Sequence, residues 1–447
     1  MTSVMEFKHK IVTAGGKKRD YSRLINAIWM PLQEDYKEII EDYLFISRKR
    51  RKSKFSIYKL QLSILGDLLQ QTKAIDAMKI TLEKLAADSS SPKEEREKQI
   101  RTYQNQIGTV LLVNQSLKTI IDGIAWRYLN YNRAILSVLS NKEDSGPVRL
   151  DDGLITELFA FSTEILHEKK RAIINDISNF LRNGDITTIE DNGDIELIEV
   201  KSSKRRGRRI TRQKEKLQEV VEFFNTGITE YEGSKLTILP CDVPLKNYLA
   251  ILRKTIAKAR QTCCSSELFG NYMILECVDA EKLDDVDKVI EYFDSRHESV
   301  KNRWEQNNDV VFSFNSLDRR GFSANLAPFS VFPLSIEDIT ALMIGRIDLT
   351  YRINLTEVLK IFEKDGWVIV DTCLKAKEEQ LSSETPFAII KKGNFKVEVP
   401  CANIARVIYE MLSPKVLIDT YNAQYNKGPQ EYILSLTNYT KEPSLWD

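Results

Sequence analysis

Histidine and cysteine are scarce in this chain. The 447 residues include three histidines, His9, His167 and His297, and six cysteines, at 241, 263, 264, 277, 373 and 401. No Cys-x-x-Cys occurs, which argues against zinc sites, a disulfide framework and nucleases of the His-Asn-His type. No apolar run approaches the 18 residues that a membrane helix needs, so no membrane partner is expected. Met1 to Lys10 lacks the apolar core of a signal peptide, so the chain is expected to stay where it is made, in the cytoplasm. Gly-x-x-x-x-Gly-Lys-Ser/Thr, Gly-x-Gly-x-x-Gly and Gly-x-Ser-x-Gly are all missing. That disfavours a P-loop ATPase, a standard dinucleotide binder and an α/β-hydrolase. No cofactor-binding residues are assigned beyond a metal site, and any energy-driven or sensing step would need a separate partner protein.

What is present is an ordinary soluble composition, 42% hydrophobic and 29% charged, long enough for two or three domains. The net charge of +1 hides clustering. Nine of the sixteen residues from Lys201 to Lys216 are basic, as are six of the seven from Arg48 to Lys54. The charges of Glu276 to Asp294 are mostly acidic. Basic blocks on a balanced chain point to a surface that faces a polyanion, or else to solvated loops.

The hydrophobic pattern divides the chain into three parts. Residues 1–145 read as a helical domain, with helical spacing at Tyr36 to Leu44, Leu60 to Leu69 and Ile107 to Leu112, and a break at Ala87 to Pro92. Its helix Ile120 to Leu139 interleaves Trp126, Arg127, Tyr128, Tyr131 and Arg133, either to stack on bases or to fill the core. This domain could also form a homo-oligomer surface. Residues 150–262 read as a long helix, Leu154 to Leu181, two short strands, a basic helix from Ile210 to Phe224, a strand at Lys235 to Leu239 and a helix at Pro244 to Arg260. Residues 268–447 alternate strand and helix, an α/β module of undisclosed role, with N-cap signals at Ser335 to Asp338 and at Thr356-Glu357.

The chemistry-bearing stretch is Asn183 to Ser203. Asp185 to Glu190 and Asp194 to Lys201 read as strands around Asp191-Asn192-Gly193. In an extended Glu199-Val200-Lys201, the first and third side chains share a face, about 7 Å apart. A three-residue loop with Gly193 left-handed puts Glu190 opposite Asp194, hence Asp185 opposite Glu199, with Cβ atoms roughly 5 Å apart. Two such carboxylates suit a divalent cation, and Lys201 could serve the attacking water or the transition state. A two-residue Asn192-Gly193 turn would shift the register and put Asp185 on the wrong face.

An acid on one strand, Glu-x-Lys on the next and then a basic helix resembles the PD-(D/E)XK nuclease superfamily, over about residues 155–240. Departures from its pattern are Gly184 in place of the proline, no strand legible between the long helix and Asp185, and Leu217 four residues after Gln213 where a subgroup has tyrosine. The resemblance implies an α+β multidomain chain with a mixed-sheet nuclease core between the helical domain and the α/β module. It implies Asp185, Glu199 and Lys201 as catalytic residues. Mg²⁺, with Mn²⁺ able to substitute, would be held by Asp185, Glu199 and the Val200 carbonyl. A glutamate on the preceding helix would complete the set, Glu164 or Glu168, with Glu157 a third candidate. Lys204, Arg205, Arg206, Arg208, Arg209, Arg212 and Gln213 would hold the DNA backbone; a localisation signal is the other reading of that run. The implied activity is endonucleolytic hydrolysis of DNA, as in bacterial restriction, repair or antiviral defence. An RNA-directed nuclease, or a non-catalytic nucleic-acid-binding or assembly protein of the same fold, is the alternative.

Overall fold

The computed structural model describes residues 34–48, 54–88, 92–140, 146–191, 193–200, 228–231, 234–307, 309–316, 326–375, 386–426 and 434–439. The chain is a mixed α and β protein with a helical N-terminal region and several small sheets.

Three helices open it: α1 (Glu34–Arg48), α2 (Lys54–Ala87) and α3 (Lys93–Tyr128). The sequence reads one helix through Ile120 to Leu139, but the chain breaks after Tyr128. Asn130 and Tyr131 take φ of 50° and 56°, outside the helical well. Asn132 then caps a new helix, α4 (Arg133–Leu139), its side chain accepting from Ile135 N–H at 3.2 Å.

The second correction positions the candidate site. The apolar residues from Leu154 to Leu181 do not form one helix. Helix α5 (Asp152–Leu166) ends two turns before the next buried run, and Lys169, at φ 55°, turns the chain back. Arg171–Ile174 is a strand, β1, buried at Ala172, Ile173 and Ile174. It pairs antiparallel with β2 (Ile186–Ile189), which pairs antiparallel with β3 (Ile195–Ile198). The outer edge of β1 is closed by Gln61 of α2. Its amide donates to the Ala172 carbonyl at 2.8 Å and accepts from Ile174 N–H at 3.1 Å. One buried amide thus does the work of a neighbouring strand.

Beyond it, β4 (Ile228–Tyr231) and β5 (Ser234–Cys241) pair antiparallel, and a strand from far along the chain, β13 (Leu434–Tyr439), runs parallel to β5. Helix α6 (Leu249–Thr262) begins at Leu249, five residues after Pro244. A four-stranded antiparallel sheet follows, β6 (Cys264–Phe269), β7 (Met273–Asp279), β9 (Ile347–Asn354) and β8 (Val311–Asn315) in that spatial order. Helices α7 (Val286–Arg296), α8 (Glu298–Gln306) and α9 (Ile336–Met343) lie in its connections. Ser335 caps α9 as its sequence suggests. Asn354, not Thr356, caps α10 (Leu355–Lys364), because the Thr356 hydroxyl accepts from Val310 N–H instead. Next come β10 (Val368–Thr372), the hairpin β11 (Ala388–Lys392) and β12 (Phe395–Val399), α11 (Cys401–Tyr409) and α12 (Pro414–Asn426), before β13.

One hydrophobic cluster runs from Ile40 and Leu44 through Trp126, Ile173 and Leu275 to Tyr351 and Ile418. The helical region is keyed to the C-terminal region by polar contacts as well. Arg127 donates to the Ser330 carbonyl at 2.7 Å and the Ser116 hydroxyl to Met343 at 2.8 Å. A Cβ at Gly123 would collide with Ser330 Oγ, so the glycine permits the close approach of α3. Arg133, stacked 4.7 Å from the Trp126 ring, meets Glu410 at 3.0 Å in the interior. Trp126, Tyr131 and Arg133 are therefore core, not a base-stacking surface.

Candidate active site

The site is built at one end of the three-stranded sheet. Its frame starts with α5, whose N-cap, Asp151, accepts from Leu154 N–H at 2.9 Å. Leu154, Phe161 and Ile165 turn inward. Phe161 stacks on Tyr58 of α2 at 5.5 Å, and the Tyr58 hydroxyl meets Ser162 Oγ at 3.0 Å. This fixes the rotation of α5 and points Glu157, one turn from Leu154, towards the sheet end.

Asp185 is placed by a buried asparagine. Asn175 Nδ2 donates to the carbonyls of Asn183 and Gly184, at 2.9 and 3.0 Å, and its Oδ1 accepts from the Thr187 hydroxyl at 2.9 Å. Its backbone N–H donates to the Asp185 carbonyl at 2.9 Å. Gly184 takes φ 75°, and a Cβ there would sit 3.1 Å from the Ile198 carbonyl oxygen. Where the resembled family has proline, this chain needs a residue that proline's fixed negative φ excludes.

The hairpin turn is the three-residue kind. Gly193 is left-handed at φ 95°, its N–H donates to the Glu190 carbonyl at 3.0 Å, and Glu190 N–H donates to Asp194 at 2.9 Å. The ladder runs Ile189 with Ile195, Thr188 with Glu196, Thr187 with Leu197 and Ile186 with Ile198. This is the register that leads towards Asp185 against Glu199, but the last step differs. Alternation from Glu190 makes Ile186 and Ile198 a hydrogen-bonded pair, and Asp185 N–H also donates to the Ile198 carbonyl, at 2.9 Å. Two residues thus address one, a bulge that displaces Asp185 from the position directly opposite Glu199. Its carboxylate accepts from Val200 N–H at 2.6 Å, which ties it to the residue after Glu199.

Glu157 registers both acids. Burial, then the charges of Asp185, Asp176, Asp151 and Glu199, push its carboxyl up to about 8. Its Oε2 is buried with no hydrogen-bond partner among the described residues. The other helix candidates lie elsewhere. Glu164 sits 3.5 Å from Lys170, which also meets Glu196 at 2.7 Å and Glu190 at 3.6 Å. The bond to Glu196 holds the Lys170 ammonium above its ordinary range. Glu168 is exposed. Among the described residues, no three His, Cys, Asp or Glu side chains converge closely enough to hold a metal as they stand. Glu157 feels the charges of Asp185 and Glu199, and these three carboxyls make an all-oxygen set of the type that hard divalent cations take.

Lys201, the basic residues Lys204, Arg205, Arg206, Arg208, Arg209 and Arg212, Gln213, and the helix read from Ile210 to Phe224 lie outside the described residues. The second basic run is described at its two ends only. Arg48 donates to the carbonyls of Leu334 and Phe332, at 2.8 and 3.1 Å, and Lys54 meets Asp191 at 3.2 Å and the Lys169 carbonyl. Both ends therefore brace the fold and do not form an open cationic track. Gln61 and Asn175 are not legible in the sequence, because an isolated amide carries no spacing signal. Glu157 does not stand out among the three helix glutamates in the sequence, because the apolar pattern continues from Leu154 to Leu181 and hides the end of α5. Compared with protein-family models, with curated proteins and with solved structures, the chain gave no match.

Proposed function

We propose that this chain is a metal-dependent nuclease that hydrolyses DNA phosphodiester bonds at the sheet end holding Glu157, Asp185 and Glu199. The observation that carries the reading is the environment of Glu157: a carboxyl with a buried oxygen that has no hydrogen-bond partner among the described residues, pushed up to about 8 by burial first and then by neighbouring carboxylates, Asp185 and Glu199 among them. Like charges so gathered are costly unless a cation answers them. The donor set fits Mg²⁺ or Mn²⁺. Bound there, such an ion would act as a Lewis acid on a phosphoryl oxygen and would lower the pKa of a bound water.

The chain's own residues would divide the remaining work. Val200 N–H and the Asn175-braced loop hold the Asp185 carboxylate in one orientation. Glu199 and Glu157 complete the oxygen set. Lys201 would carry a proton to or from the attacking water, or meet charge developing on the phosphate. A helix followed by a three-stranded sheet, with Asp185 just before β2 and Glu199 just after β3, supports this reading, and β1 stands where no strand is legible in the sequence. A role in restriction, repair or defence rests on the resemblance alone.

The test is plasmid cleavage. Supercoiled DNA should be nicked or linearised with Mg²⁺ or Mn²⁺ and left intact with EDTA. No cleavage of DNA or RNA with either ion would remove the reading.

DNA affinity should be separable from cleavage. Arg205, Arg206, Arg208 and Arg209 replaced together by Ala should weaken binding to all sequences alike. Each lost phosphate contact should flatten the log–log salt dependence by roughly 0.9. A salt titration of fluorescence anisotropy reads both, and an unchanged slope returns the run to a solvated loop.

A further inference from the structure

Of the six cysteines, Cys373 and Cys401 meet as thiols. A sheet brings them together. Ala388 of β11 stands opposite Thr372 of β10 on one side and Val399 of β12 on the other. Cys373 is the residue after Thr372, and Cys401 follows Val399 by two, so both lie at the same end of this sheet. Phe387 is the frame between them. Its carbonyl accepts from Cys373 N–H at 3.1 Å and from the Thr372 hydroxyl at 3.0 Å, and its N–H donates to the Val399 carbonyl at 2.8 Å. Cys401 opens α11, which is anchored in the interior where Arg406 meets Glu410 at 2.8 Å. Folded backbone therefore holds the contact from both sides.

The two side chains are hydrogen-bonded to each other, Cys401 S–H donating to the Cys373 sulfur. That bond favours a thiolate at Cys373, lowering its thiol from the ordinary value, and keeps the proton on Cys401, whose thiol is raised. Both residues are half-buried at the rim of the hydrophobic cluster, within reach of a molecule as small as a peroxide. The other four differ. Cys241 and Cys277 are buried, and burial pushes up the thiols of Cys263 and Cys264.

We propose that Cys373 and Cys401 form a reversible redox clasp, closed by a peroxide, that ties the end of β10 to the start of α11. The Cys373 thiolate attacks one peroxide oxygen and the O–O bond breaks. Hydroxide leaves and takes a proton from solvent, and Cys373 becomes a sulfenic acid. Cys401 gives up its proton and attacks that sulfur. The S–O bond breaks, the S–S bond forms, and the departing hydroxide takes the proton as water. In all, two thiols lose two electrons and two protons, and hydrogen peroxide becomes two waters. A dithiol reductant restores both thiols. The proposal does not depend on the cleavage reading.

Peptide mapping of the full chain tests it. The reduced protein is treated with a small excess of hydrogen peroxide, its remaining thiols are alkylated, and its peptides are read by mass spectrometry. The expected product is one linked pair carrying Cys373 and Cys401, with the other four cysteines alkylated. The melting temperature should rise by ~3–6 °C, because the bridge restricts the unfolded chain, and should fall back with dithiothreitol. Cys401→Ser should stop the reaction at the Cys373 sulfenic acid, which dimedone traps, with no gain in melting temperature. Cys373 and Cys401 both left as thiols, a bridge between Cys263 and Cys264 or between chains instead, or a Cys373–Cys401 bridge that leaves the melting temperature unchanged would each overturn the proposal. So would a Cys401→Ser protein whose Cys373 takes no dimedone.

Discussion

Glu157→Gln should make the metal-free protein more stable at pH 8 while abolishing cleavage. The carboxyl's value in the folded chain, about 8, lies above its ordinary 4.5, with burial the largest cause and Asp185 the next. A carboxyl raised in this way favours the folded state while it is protonated. That contribution is complete below about 4.5 and is lost as pH rises through about 8. The parent's stability should therefore fall between these limits, whereas the glutamine variant, which does not ionise, should escape that loss. A rise of about 2–4 °C in melting temperature at pH 8 is expected, kept small because the half-buried carboxyl is partly screened. At pH 5 the difference should nearly vanish. Added Mg²⁺ should stabilise the parent and not the variant. Cleavage by the variant should drop by roughly 10²–10³-fold or more. A variant that melts below the parent at pH 8, or that cleaves normally, would show that Glu157 is only a buried side chain.

The largest loss of stability should come from a site with no part in the chemistry. Glu410 is buried and accepts from Arg133 at 3.1 Å, from Arg406 Nε at 2.8 Å and from Ala327 N–H at 2.7 Å. It ties α4 to α11 and to the segment before Pro328. Glu410→Gln leaves two buried guanidinium groups without their counter-charge, which should cost about 3–5 kcal/mol. Replacing Glu410, Arg133 and Arg406 together by Met should recover most of that loss, because the desolvation of all three charges then disappears. Urea unfolding followed by fluorescence distinguishes the cases. A single variant within about 1 kcal/mol of the parent would mean that water reaches the network.

How far the fold was legible depended on the range of its causes. The β2–β3 hairpin was readable because its register is set locally, between Ile186 and Ile198, by alternation and by Gly193. The long helices α2 and α3 were readable from period and from Pro92. Strand β1 was not, since Arg171–Ile174 also fits an extension of α5. What makes it a strand is β2 on one side and Gln61, 111 residues before Ala172, on the other. The break at Tyr131 was hidden for a related reason: burial of Tyr131 beside α3 outweighs its helical spacing. At the site, Asp185, Glu199 and the loop type came from local rules. The bulge at Asp185 and the choice of Glu157 over Glu164 came from tertiary placement, with Lys170 drawing Glu164 to the far end of the sheet.

The most direct measurement is cleavage of one plasmid under Mg²⁺ by two variants of neighbouring strands. Asp185→Asn keeps shape and removes one charge from the oxygen set. Glu196→Ala removes a carboxylate that faces Lys170 at 2.7 Å, away from that set. Asp185→Asn should bind DNA like the parent and fail to cut it, and Glu196→Ala should cut at close to the parent rate. Equal cleavage by both, or a Glu196 variant as inactive as Asp185→Asn, would contradict the assignment of the site.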